Sequence, residues 1–213
     1  MNIDKNKIIN MFFDFEKAGI TYALLRDVDK ILPELYSSDK DIDIIIRPES
    51  RKQFIQYLHS NKWKRVEHPL GEVNTIFLYA MTPFEFYLKD GFRLDICYQL
   101  SCKSTNAGEW MPIDRSINQM MWTRIKRNDN FGWYELSTED ELVHLLTRCI
   151  FDKKNFNIAY QNRLEELLEK VNIETIKIEL NKVFFKFTDN LLDLLIKKKY
   201  NCIIKNYLTF KEY

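Results

Sequence analysis

Apolar positions along this chain follow a helical period first, then an alternating one, then a helical one again. From Asp4 to Lys17, Ile8, Ile9, Phe12, Phe13 and Phe15 make a broad apolar face, which predicts a helix capped by Asp4 and ended by Gly19. Thr21–Leu25 reads as a short strand, Asp27–Lys40 with Pro33 as a polar loop, and Ile42–Ile46 as a β-branched strand. Pro48 sits where a helix starts, and Phe54, Ile55 and Leu58 carry its period to Asn61. Strands are then predicted over Trp63–Glu67, Thr75–Met81, Phe84–Leu88 and Phe92–Tyr98, with Lys89-Asp90-Gly91 as a tight turn. A last hairpin is predicted from Trp122–Lys126 and Trp133–Leu136.

Beyond Ser137 the pattern is helical throughout. Ser137 with Asp140, or Thr138 with Glu141, forms a capping box. Helices are predicted over Glu139–Phe151, Ile158–Val171, Glu174–Phe185 and Asn190–Tyr207. The expected fold class is α+β: residues 1–136 form a mixed β-sheet core with flanking helices, and residues 137–213 form a C-terminal helical bundle.

Composition narrows the partners. In 213 residues, 32 Lys and Arg against 31 Asp and Glu leave no net field for a general nucleic-acid binder. The opening MNIDKNKIINMFF lacks the apolar core of a signal peptide, and no window is apolar enough to span a membrane. A cytoplasmic protein is expected, with Cys97, Cys102, Cys149 and Cys202 as reduced and mostly buried thiols. Together with His59, His68 and His144 they are too scattered for a zinc site.

The informative segment is Lys40-Asp41-Ile42-Asp43-Ile44-Ile45-Ile46. Side chains alternate along a strand, so Asp41 and Asp43 share one face while Ile42, Ile44 and Ile46 turn to a core. Two carboxylates entering an apolar strand repel each other and call for a cation. Mg²⁺ suits a site of one or two carboxylates completed by substrate phosphates. Phe92-Arg93-Leu94-Asp95-Ile96-Cys97 alternates in the same way, with Arg93, Asp95 and Cys97 opposite an apolar face. If the two strands are neighbours, Asp95 joins Asp41 and Asp43, and three carboxylates can hold two Mg²⁺ ions for phosphoryl or nucleotidyl transfer. Arg93 is expected to pair with a neighbouring acid. Lys40 is a candidate for a phosphate contact, and His144, Arg148, Lys153, Lys154 and Tyr160 are weaker candidates on or after the helix that follows Ser137.

This order resembles the nucleotidyltransferase superfamily related to DNA polymerase β. It resembles most the bacterial nucleotidyltransferase-like proteins of surface-polysaccharide gene clusters. Tyr22-Ala23-Leu24-Leu25-Arg26-Asp27, Leu32-Pro33, Lys40 to Ile46 and Leu94-Asp95-Ile96 carry the resemblance, over about the first half of the chain. It implies an NTP substrate, Asp41 and Asp43 on both metals, and Asp95 on one metal and near the attacking hydroxyl. The acceptor it implies is a small molecule, such as a sugar or glycan precursor. The superfamily's glycine turn after the first strand is replaced by Leu25-Arg26-Asp27, where Arg26 can meet phosphate by its side chain. That departure keeps two further readings open. One is a degenerate nucleotidyltransferase-fold binding module; the other is a nucleotidyltransferase toxin, against which the lack of a basic stripe counts if its target is tRNA.

Overall fold

The computed structural model describes residues 2–25, 35–37, 41–66, 84–104 and 109–207. Contacts divide the chain into two units: residues 1–100 with 125–136, and residues 101–124 with 137–213. The predicted strand Thr75–Met81, and both Arg26 and Lys40, lie outside the described residues. No helix among the described residues is long and apolar enough to cross a membrane.

The first unit is a mixed sheet with helices on its core face. Its elements in chain order are β1 (Asn2–Asp4), α1 (Lys5–Lys17), β2 (Tyr22–Leu24), β3 (Leu35–Ser37), β4 (Ile42–Ile46) and α2 (Arg51–Ser60). β5 (Lys64–Val66), β6 (Glu85–Lys89) and β7 (Phe92–Cys97) follow. In the second unit come β8 (Ser101–Lys103), β9 (Trp110–Pro112) and α3 (Arg115–Arg124), before β10 (Lys126–Arg127) and β11 (Tyr134–Glu135) return to the first. The large sheet has the order β10-β11-β2-β4-β7-β6-β5. β4 and β7 pair in parallel at its centre, and β2 and β6 flank them antiparallel.

Asp4 caps α1 by accepting from the Asn6 N–H at 2.7 Å. Ile8, Met11, Phe12 and Phe15 are the buried face of α1. They pack with Tyr22, Ile44, Ile46, Phe54, Leu58 and Trp133 in one cluster. Phe12 stacks on Tyr22 with ring centres 5.0 Å apart, and Phe15 meets Phe54 edge to face at 5.5 Å. One apolar face of β4 therefore goes into this core and leaves the opposite face for chemistry.

Three helices end in the same way. Gly19, Lys62 and Lys198 each have positive φ, at 71°, 60° and 55°. In each case the next residue's N–H reaches back five residues: Ile20 to Phe15, Trp63 to Leu58 and Lys199 to Leu194. The last of these breaks the predicted helix Asn190–Tyr207 into α7 (Thr188–Ile196) and α8 (Tyr200–Tyr207). A lysine pays for the left-handed conformation that glycine adopts freely. Lys198→Gly removes that strain but adds backbone entropy and deletes the exposed Lys198–Glu165 ion pair at 2.6 Å, so it is expected to leave stability within about 0.5 kcal/mol of wild type, read as a nearly unchanged urea midpoint.

Two other expectations change. The loop over Asp27–Lys40 contains β3, which pairs antiparallel with β1, joining Ile3 to Tyr36. The predicted strand Trp122–Lys126 is mostly the end of α3; only Lys126 belongs to a strand. The signal for α3 is an Asp cap and an i, i+4 apolar pair. Asp114 accepts from the Ser116 N–H at 2.8 Å, and Ile117 and Met121 are fully buried.

The second unit continues with α4 (Thr138–Thr147), a π-helical segment over Arg148–Lys153, α5 (Ile158–Lys170), α6 (Ile173–Phe184), then α7 and α8. Ser137 caps α4 by accepting from the Asp140 N–H at 3.1 Å, as its spacing predicts. Residues 101–124 group with residues 137–213, and residues 125–136 with residues 1–100.

Candidate active site

β4 and β7 lie side by side, and their register sets Asp43 directly opposite Asp95. Ile42 faces Leu94 and Ile44 faces Ile96 in the same ladder, and these four are buried. Period-two alternation then puts Asp43 and Asp95 together on the face away from α1 and α2. Two like charges directly opposite on neighbouring strands destabilise a sheet unless their charge is offset.

Asp41 sits one residue before β4 on the same face. Its Oδ1 lies 2.9 Å from Nε of Arg93, the ion pair expected for that arginine. Asp41 and Arg93 are both part-exposed, at 36% and 42% of their side chains, so the pair contributes little stability. Its importance is positional: an arginine neutralises the acid nearest the start of the strand. Cys97 completes the β7 face. Burial, and then the charges of Asp95 and Asp43, push its thiol far above the ordinary range.

Donor type fits a hard divalent cation, since Asp41, Asp43 and Asp95 offer only carboxylate oxygens. Among the described residues, no three His, Cys, Asp or Glu side chains are gathered into a ready metal-binding group. The sheet register sets Asp43 opposite Asp95, while the side chain of Asp41, one residue before β4, is engaged by Arg93.

Beside Asp41 opens a cleft of about 610 Å³ over β5, β6 and β7. Its lining includes Lys62, Lys64, Lys89 and Arg93, with Phe86 and Leu88 between them. Sequence reasoning missed these lysines, because each reads locally as a solvated turn or strand-end charge. The signal lies in the register, which pairs Lys64 with Leu88 and Leu88 with Arg93.

The weaker candidates all fall in the second unit. His144 is buried in α4. Arg148 and Lys153 lie 3.5 and 3.7 Å from Oδ2 of Asp152, which also meets Lys103 at 2.9 Å. Tyr160 lies at the start of α5, where its N–H donates to the Asn157 cap, and Lys154 ends the π-helical segment with positive φ.

Cys97, Cys102 and Cys149 are buried and Cys202 is exposed. Burial raises the Cys102 thiol to about 11. Maleimide labelling of the native protein near neutral pH is expected to modify one cysteine quickly, Cys202, and the other three only after denaturation. Mass spectrometry of the labelled peptides reads the order.

No protein-family model matches the chain, and no curated protein does. Several solved structures resemble it, among them the following two. One is the lincosamide antibiotic adenylyltransferase LnuA with lincomycin bound, 15% identical, with a TM-score of 0.47 over 80% of this chain and 100% of that one. The other is the solution structure of the antibiotic-resistance factor ANT(2'')-Ia, 7% identical, with a TM-score of 0.49 over 93% of this chain and 100% of that one. Likeness at this level assigns no chemistry.

Proposed function

We propose that this protein is a Mg²⁺-dependent nucleotidyltransferase. It moves a nucleoside monophosphate from an NTP to a hydroxyl or phosphate acceptor, with a small sugar, sugar phosphate or glycan precursor as the preferred class. The observation that carries this reading is the direct pairing of Asp43 with Asp95 on the sheet face away from the helices. A purely structural sheet gains nothing from that pairing and loses stability through it.

Asp41 and Asp43 would hold both metal ions and Asp95 one of them. Bound there, the ions would offset the charge on the phosphates and on the attacking and leaving oxygens. The chain's own part is to place the acids and to take up a proton. An acceptor oxygen attacks the α-phosphorus, a new P–O bond forms, and the bond to the bridging oxygen of pyrophosphate breaks. Asp95 accepts the proton from the attacking hydroxyl. Arg93 has to yield Asp41 for this, and its guanidinium then becomes available to a phosphate.

The test is pyrophosphate release from each of the four NTPs with Mg²⁺ and a panel of sugars and sugar phosphates. Release that depends on an acceptor and disappears in Asp43→Asn supports the reading. A second reading, a nucleotide-binding module without turnover, is favoured by the Arg93–Asp41 pair, which occupies an acid the reaction needs. Nucleotide binding with no release on any acceptor would select it.

A further inference from the structure

The cleft beside Asp41 contains four cationic side chains, Lys62, Lys64, Lys89 and Arg93, and two acids, Asp41 and Asp90. Arg93 is held by Asp41, whereas Lys62, Lys64 and Lys89 have no ion-pair partner among the described residues. Three lysines brought to one concavity repel each other, which favours an anion between them. The chain's net charge is only +1, so this local excess is not the overflow of a basic protein.

The sheet register gives the cleft its order. One row across the carboxylate face runs Arg93, Leu88, Lys64, on β7, β6 and β5 in turn, and Asp41, one residue before β4, is ion-paired to Arg93 at its near end. The next row runs Asp43, Asp95, Phe86, Val66. Three strand spacings separate the ends of the second row, about 14 Å. A molecule lying along the face thus meets carboxylates at one end, apolar side chains in the middle and Lys64 at the far end; Lys89, paired with Phe92, lines the cleft without belonging to this row. Leu88 is 39% exposed, unusual for a leucine inside a sheet and consistent with a surface that a ring can cover.

We propose that this cleft is a subsite for a phosphate-bearing substrate of the transferase reaction. Lys64, Lys89 and Lys62 receive the phosphate, and Phe86 and Leu88 support the rest of the molecule. The inference rests on the nucleotidyltransferase reading for the identity of the reaction, but phosphate binding by the lysines can be tested without it. Two sources share this chemistry: the polyphosphate tail of the nucleotide, and a phosphate on the acceptor.

The test uses calorimetric titration of the full chain, without metal, with tripolyphosphate and separately with a hexose 1-phosphate. Wild type, Lys64→Gln/Lys89→Gln, and a control Lys7→Gln that removes a charge from α1 are compared. Circular dichroism checks that each is folded. Loss of two charge-assisted contacts is expected to weaken binding of the matching probe at least about tenfold in the double variant, with the control unchanged. Loss of tripolyphosphate binding assigns the subsite to the nucleotide tail; loss of hexose 1-phosphate binding assigns it to the acceptor. No saturable binding of either probe, or equal binding in wild type and double variant, overturns the proposal. Mg²⁺-NTP binding that still depends on Asp43 in that case leaves the transferase reading standing. Lysine-dependent phosphate binding without any Asp43 dependence supports the subsite and removes the transferase reading.

Discussion

Asp43→Asn is expected to lower the rate of pyrophosphate release by about a thousandfold, the kinetic equivalent of about 4 kcal/mol of lost transition-state stabilisation. The substitution keeps the size of the side chain and removes one charged oxygen donor from a position directly opposite Asp95. Its effect on folding has the opposite sign. Asp43 and Asp95 repel each other across the ladder, so neutralising one should leave the urea midpoint equal to or above that of wild type, by about 0.5 kcal/mol. Few structural roles produce this combination of lost turnover with undiminished stability. A fall in both together would mean that Asp43 is a structural acid, held by its neighbours for stability. The same logic extends to Asp95→Asn, where loss of the proton acceptor adds to loss of the ligand.

The second large effect is expected in the helical unit. Asp140 is 1% exposed, and Nε of Arg124 donates to its Oδ2 at 3.0 Å while the Ser137 hydroxyl donates to the same oxygen at 2.7 Å. Arg124 also reaches Glu179 at 3.2 Å, so it joins α3, α4 and α6. Arg124→Ala would leave the Asp140 carboxylate buried with only neutral donors. Breaking a buried pair from one side costs about 3–5 kcal/mol. For a chain of this length that lowers the thermal midpoint by about 10 °C. Replacing both partners, as in Arg124→Met with Asp140→Leu, should recover much of the loss, because the cost lies in the stranded charge. A double variant as unstable as the single one would show that the helices need the ion pair itself.

Several features of the site can be read from local sequence because they depend only on period. Asp41 and Asp43 share a face because strands alternate, and Ile42, Ile44 and Ile46 are buried for the same reason. The pairing of Asp43 with Asp95 needs β4 and β7 to be neighbours in parallel, a long-range fact that alternation makes possible and does not specify. The cleft lysines were illegible for a related reason. Lys62, Lys64 and Lys89 meet only through the antiparallel pairing of β5 with β6, and each alone looks like an ordinary surface charge.

The errors in reading the fold also have local causes. Trp122 and Thr123 have strand-forming side chains, and that propensity outweighed the Asp114 cap and the Ile117–Met121 pair that make α3 a helix. The break at Lys198 had no glycine to announce it, since a lysine occupies the left-handed position there. Arg26 and Lys40, the two phosphate candidates nearest the acids in sequence, lie outside the described residues.

The central claim is that Asp43 helps to bind a metal–nucleotide complex. It is tested most directly by calorimetric titration of Mg²⁺ with a non-hydrolysable NTP into wild type and Asp43→Asn. The account predicts saturable binding to wild type that requires Mg²⁺ and is lost in the variant. Binding of equal strength to both proteins, or to neither, would contradict it.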